Sequence, residues 1–199
     1  MMPRTSRHTT APARAAQISL RVLWRKRRPG SIVGLTRCDR REGRVSSAIE
    51  QRLAARGFTL PEAPSPAANY VPFTVSGKLI LIAGQLPFVN GQVAVTGRLG
   101  DGVSVAQGQE AARICALNLL AQARAACGGD LDRLARCLKL EGFVSCTPDF
   151  SEHPQVLNGA SDLIVEAMGD AGRHARFAVG CASLPRHAAV EVGAIFELA

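Results

Sequence analysis

The chain is poor in aromatic side chains, with one Trp, one Tyr and seven Phe among 199 residues. Proteins that grip single-stranded nucleic acid lean on such rings, so a base-stacking surface is not indicated. No uncharged apolar run approaches the roughly 18 residues that a membrane-spanning helix needs, which excludes a helical span. None of the six cysteines forms a C-x-x-C pair, which argues against zinc ribbons and thioredoxin-like redox motifs. Walker loops, dinucleotide fingerprints and the G-x-S-x-G nucleophile elbow are missing as well. His174 and His187 have no metal-ligand spacing with the acids, so no metal is expected. A secretory signal pattern is also lacking. Reduced, mostly packed cysteines in a cytoplasmic protein are therefore the expectation.

What is present is unevenly spread. The formal net charge is +8, but residues 1–44 hold 12 basic and 2 acidic side chains, a net +10. Residues 45–199 hold 12 basic and 14 acidic, a net −2. The chain reads as a basic leader over 1–44 followed by one domain over 45–199. The leader carries Arg25-Lys26-Arg27-Arg28 and the single Trp24. It fits attachment to nucleic acid or an anionic membrane, an organelle transit segment, or translation from a start placed too far upstream.

From residue 46 the pattern becomes domain-like. Ser46 or Ser47 caps a short helix with Glu50 in its first turn and Gly57 beyond its end. A Pro-rich connector follows over 60–66. Val71 to Val75 and Leu79 to Ala83 read as strands around a Ser76-Gly77-Lys78 turn. Asn90-Gly91 is a two-residue hairpin signal. The longest helix starts at Ser104 and ends at Gly128-Gly129, with Ile114, Leu117 and Ala121 on its apolar face. A strand over 136–146 and a second helix after Pro154 come next. Val156, Ala160, Leu163 and Ala167 form that helix's buried face. Two strands close the chain, near 174–182 and 188–198. The order predicts an α+β fold, a mixed sheet with two helices packed on one face. The uncovered face then makes oligomerisation an expectation.

Few residues offer chemistry. On the strand near 174–182, Arg176 shares a face with Ala178 while Phe177 and Val179 take the other. A guanidinium among apolar neighbours needs an anion, and its planar fork suits a carboxylate or phosphate. A final hairpin centred between Ser183 and Leu184 would set Arg176 opposite Glu191. A structural cross-strand ion pair accounts for that placement equally well. Tyr70 stands at a connector–strand junction, where it either lines a cleft or caps the core. Gly84 either admits a ligand to the backbone or turns the chain. Asn158 is either a site residue or part of a solvated face. The cysteines show no grouping that marks a nucleophile.

In order along the chain stand Tyr70, the stretch Leu79-Ile80-Leu81-Ile82-Ala83-Gly84-Gln85-Leu86-Pro87, Asn158-Gly159-Ala160-Ser161-Asp162, Gly172-Arg173-His174-Ala175-Arg176, Leu184-Pro185 and Val190-Glu191-Val192. This set resembles the RidA/YjgF reactive-intermediate deaminase family over residues 46–199. It is most similar to the branch often called endoribonuclease or translation inhibitor. The resemblance implies a chorismate-mutase-like α+β fold and a homotrimer with clefts between subunits. It implies cofactor-free hydrolysis of 2-imino acids to 2-oxo acids and ammonia. Arg176 would bind the substrate carboxylate and Glu191 would orient the attacking water, with Tyr70, Gly84, Asn158 and Ala178 lining the cleft. A non-catalytic trimer that senses small carboxylates is the alternative. An RNA-acting protein is a third, supported only by the basic leader. Phe177 and Ala178 depart from the small hydroxyl residue and the cysteine common at those positions. Phe177 is expected in the core and Ala178 in the cleft.

Overall fold

A computed structural model describes residues 46–63 and 69–199. The basic leader, its arginine run, Trp24 and Cys38, and Pro64-Ser65-Pro66 of the connector lie outside the described residues.

Helix α1 (Ala48–Ala55) begins as its sequence dictates. Ser47 Oγ accepts from the Glu50 amide at 3.2 Å, and the Ser47 amide donates to Glu50 Oε2 at 3.0 Å. Strands β1 (Phe73–Ser76) and β2 (Leu79–Gln85) pair antiparallel around Gly77. Asn90 and Gly91, with φ of 51° and 78°, join β3 (Phe88–Val89) to β4 (Gln92–Val93) in the left-handed geometry a two-residue hairpin demands. A short parallel pair, β5 (Arg98–Leu99) and β6 (Gly102–Val103), leads into α2 (Val105–Ala126), capped by Ser104 and Gln107. After α2 come β7 (Leu134–Ser145), α3 (His153–Met168), β8 (Ala175–Cys181) and β9 (Val190–Leu198).

The principal sheet has five strands in the order β1-β2-β9-β7-β8. β7 and β8 run parallel, and the other pairs are antiparallel. The mixed α+β architecture is as expected. Helices α2 and α3 pack together and cover one face, closing a core of Ile80, Leu140, Val144, Leu157, Leu163, Val192 and Phe196, all nearly inaccessible. Each such side chain contributes about 1.5–3 kcal/mol by leaving water. Val156, Ala160, Leu163 and Ala167 do form the buried face of α3.

Three expectations are overturned. First, the most deeply buried stripe of α2 is Ala111, Ala112, Cys115, Ala116, Leu119, Leu120 and Ala123. Ile114 and Leu117 are only half-buried, although Ala121 is buried. Alanine and cysteine fill the closest contacts, so the bulkier residues mark the flank of the stripe instead of its centre. Second, β8 and β9 are not a hairpin. The β7–α3–β8 crossover sets β8 beside β7 in parallel, and β9 inserts on β7's other side, between β7 and β2. β9 is the better central strand because Val190, Val192, Ala194 and Phe196 are all buried, whereas β8 is largely accessible. Arg176 is therefore in register with Leu140, while Glu191 is in register with Phe143. Third, Phe177 faces away from the core and meets Phe143 edge-on at 5.6 Å, whereas Ala178 packs against the core.

All five cysteines among the described residues are free, and four of them are buried. Among the described residues no helix is long and apolar enough to cross a membrane, and no cluster of three metal-ligating side chains occurs.

Candidate functional site

Strand alternation splits the expected site in two. Arg176 is in register with Leu140 and, through it, with Ala194, both buried beneath the helices. Arg176 thus faces the helical layer from the edge strand. Its Nη1 donates to Asn158 Oδ1 at 3.1 Å and to Ser161 Oγ at 2.9 Å, and its Nη2 donates to the Pro154 carbonyl at 3.3 Å. Arg176 and Asn158 are therefore together, as the motif pattern implies. Three of the guanidinium's five N–H groups are used, which leaves two for a ligand. Among the described residues no carboxylate neutralises it.

Ser161 is a partner of Arg176 that reading residues one at a time does not reveal. Its hydroxyl also lies 3.0 Å from His174 Nε2, and His174 Nδ1 lies 2.6 Å from the Gly172 carbonyl. A carbonyl only accepts, so Nδ1 carries the proton. In a neutral ring Nε2 then accepts the Ser161 hydroxyl, whose oxygen is left to receive Arg176. One α-helical turn (Asn158 to Ser161) facing the strand is the signal that would have found it.

Glu191 occupies the opposite face. Its register partner Phe143 and that residue's neighbour Val179 are 37% and 43% exposed. Among the described residues no hydrogen bond or ion pair is made by the Glu191 carboxylate. Burial raises its pKa above the ordinary carboxylate range. Gly84 lies against it: a Cβ at position 84 would overlap Glu191 Oε1. The glycine is there for close approach, since β2 is irregular between Ile82 and Gln85 where it passes Val192. Lys139 sits 5.1 Å from the Phe177 ring centre and pairs with Glu141 at 2.7 Å.

Tyr70 is 50% exposed at the entrance to β1. β1 and β8 are the two outer strands, so Tyr70 and Arg176 stand at opposite edges of the sheet. Ala178, packed on the core, offers no polar group to a ligand. A single chain thus presents a guanidinium with no counter-ion at one edge and an unpaired carboxylate on the other face.

The chain is similar to known proteins over most of its described length. Residues 50–198 match the family model described as "YjgF/chorismate mutase-like, putative endoribonuclease". Protein TCP17 of Trypanosoma cruzi is 50% identical over 157 residues, covering 78% of this chain and 95% of that protein. Protein Atu1372 of Agrobacterium tumefaciens, of unknown function, is 54% identical with a TM-score of 0.73, covering 76% of this chain and 93% of its own. A putative endoribonuclease from Shewanella oneidensis is 36% identical with the same TM-score, covering 77% of this chain and all of its own.

Proposed function

The chain belongs to the YjgF/RidA family, and from that premise we propose that it hydrolyses reactive 2-imino and enamine acids to 2-oxo acids and ammonia in clefts between the subunits of a homotrimer. The observation that carries the reading is a pair of unsatisfied opposite charges. Arg176 is held by three bonds yet lacks a counter-ion, and Glu191 is half-buried yet lacks a partner. Both are expensive arrangements unless a ligand completes them.

Because they lie on opposite faces of one sheet, a second copy must bring Glu191 to Arg176. The uncovered face supports such assembly, with Leu79, Leu81, Phe143 and Val179 each more than a third exposed. In the assembled cleft, Arg176 receives the substrate carboxylate through its two free N–H groups and fixes the imine carbon. Glu191 of the neighbouring copy orients a water and takes its proton as the oxygen adds to that carbon. The C=N electron pair moves to nitrogen. Glu191 then returns that proton to nitrogen, giving a carbinolamine. Glu191 next passes the carbinolamine hydroxyl proton to the same nitrogen; the O–H pair closes the C=O bond, the C–N pair leaves with nitrogen, and ammonia and a 2-oxo acid are released. A carboxylate with a raised pKa is a stronger proton acceptor for the first half of that shuttle than an ordinary one. The small ligand is thus a 2-imino or 2-oxo carboxylate, and positioning supplies the rate without a cofactor.

The sensor alternative has one observation of its own. The Arg176 receptor is complete within a single chain, so carboxylate binding does not require Glu191. The endoribonuclease name attached to the family model and to the Shewanella relative is poorly matched by residues 45–199, with their net charge of −2 and single Tyr.

The deciding experiment generates 2-iminopropionate or 2-iminobutyrate in situ and follows 2-oxo acid formation by wild type, Arg176→Ala and a blank. Acceleration by wild type alone supports the deaminase. Saturable 2-oxo acid binding without acceleration makes the protein a sensor.

A further inference from the structure

A second cluster of reactive groups sits at the carboxyl ends of β7 and β8, outside the residues used above. A cavity of about 380 Å³ opens there, lined in part by Arg98, Cys146, Phe150, His153, Gly180 and Cys181. Within it Cys146 Sγ lies 3.4 Å from His153 Nε2.

The surroundings hold that pair in place. His153 opens α3, and Phe150 meets its ring edge-on with centroids 5.2 Å apart. Gly180 supplies the room: a Cβ there would stand 2.5 Å from His153 Nε2 and 2.7 Å from Cys146 Sγ. Any larger residue would push the thiol and the imidazole apart. Arg98 Nη2 donates to the Cys146 carbonyl at 2.6 Å. Arg98 Nε is buried and is the one side-chain polar atom among the described residues that is buried with no hydrogen-bond partner. Nε itself is enclosed, but Arg98 Nη1 makes no hydrogen bond among the described residues and is not enclosed, so the guanidinium still has N–H groups to offer an acceptor in the cavity.

The other cysteines lack this setting. Burial raises the Cys115 thiol well above its ordinary pKa, with the Glu191 charge adding to it, and pushes Cys137 up to about 12. Cys181 lines the same cavity and is more exposed than Cys146, which is only 7% accessible. Its sulfur faces the Val144 carbonyl instead of an imidazole. Burial raises its thiol too, helped by Cys146 and Glu191. Exposure alone would make Cys181 the faster of the two, whereas an imidazole partner would make it Cys146.

We propose that Cys146 and His153 form a nucleophilic thiol–imidazole pair, a covalent modification site for small electrophiles bearing a carboxylate that Arg98 receives. His153 Nε2 takes the thiol proton, and the sulfur attacks the electrophilic carbon. With a halo-acid, the S–C bond replaces the carbon–halogen bond and halide leaves with the electron pair. With an α,β-unsaturated carboxylate, sulfur bonds the β-carbon, the C=C pair moves to the α-carbon, and that carbon takes the proton back from His153. The pair acts independently of Arg176 and Glu191.

The test treats the full-length protein with limiting iodoacetamide or iodoacetate at pH 7 and reads alkylation at each cysteine by peptide mass spectrometry. Cys146 is expected to react about ten-fold faster than Cys181, and His153→Gln to remove that advantage while leaving Cys181 unchanged. The iodoacetate-to-iodoacetamide rate ratio at Cys146 should be several-fold higher in the folded protein than in urea, and Arg98→Gln should erase the excess. Should that variant misfold, acetate protection of wild-type Cys146 from iodoacetamide reads the same interaction. Alkylation that follows exposure, with Cys181 first, overturns the pair, as does an unchanged Cys146 rate in His153→Gln. A folded-state ratio equal to that in urea overturns the role of Arg98.

Discussion

The two faces of the five-stranded sheet solve opposite problems. On the helical side Arg176 is held by Asn158, Ser161 and the Pro154 carbonyl, and Ser161 is itself held by His174. On the other side the Glu191 carboxylate lies against Gly84 with no hydrogen-bond or ion-pair partner among the described residues, and burial raises its pKa. The first half of the site is finished within one chain, and the second is left open. On the proposed reading, the difference teaches where assembly would enter. Local contacts can preorganise a guanidinium, whereas in the proposed deaminase the unpaired carboxylate would act on a water only once a neighbouring copy brought it to Arg176.

Removing the guanidinium attacks the finished half and carries the largest expected effect. Arg176→Ala should abolish turnover and also 2-oxo acid binding by titration calorimetry; retained binding would break the assignment. Glu191→Gln attacks the open half. It should lower kcat by on the order of 10²–10⁴-fold while leaving 2-oxo acid affinity within about two-fold. A parallel loss of both would mean that the two halves are not separable.

Assembly is probed by Phe143→Glu, which puts a charge on the uncovered face. Light scattering should show the mass falling toward that of one chain, with turnover falling alongside. A fully active single chain would sink the intersubunit cleft. A milder change, Ser161→Ala, removes one bond to Arg176. The loss of about 1 kcal/mol net should raise KM roughly five-fold with kcat unchanged.

The smallest effect is on stability. The raised pKa of Glu191 means that the folded state holds this proton more tightly than the unfolded chain. Its contribution is fully present below the ordinary Glu pKa and is lost as pH rises through the raised one. Glu191→Gln should therefore melt above wild type at neutral pH. The gap should close as pH falls to about 4. A gap that widens toward acid would show that Glu191 is paired in the folded protein.

Local chemistry was legible in the residues alone. Ser47, Glu50, Ser104, Asn90-Gly91 and the buried stripe of α3 each act within a few neighbours, and a short-range hydrogen bond or a 3.6-residue period announces them. Arg176, Asn158, Glu191 and Gly84 stood out through spaced motifs, and the fold class followed from the order of elements. Strand partnership was not legible, because alternation says which residues share a face but not which strand lies alongside. That choice depends on where the most apolar strand gains most from burial, and β9 took the central place between β2 and β7. The same choice put Arg176 and Glu191 on opposite faces, turned Phe177 outward and brought Ser161 to Arg176. The sequence by itself determined the elements and the reactive groups, because those follow from short-range sterics and hydrogen bonding. Only the tertiary structure decided which groups meet, because non-local pairing is set by the packing of the whole core.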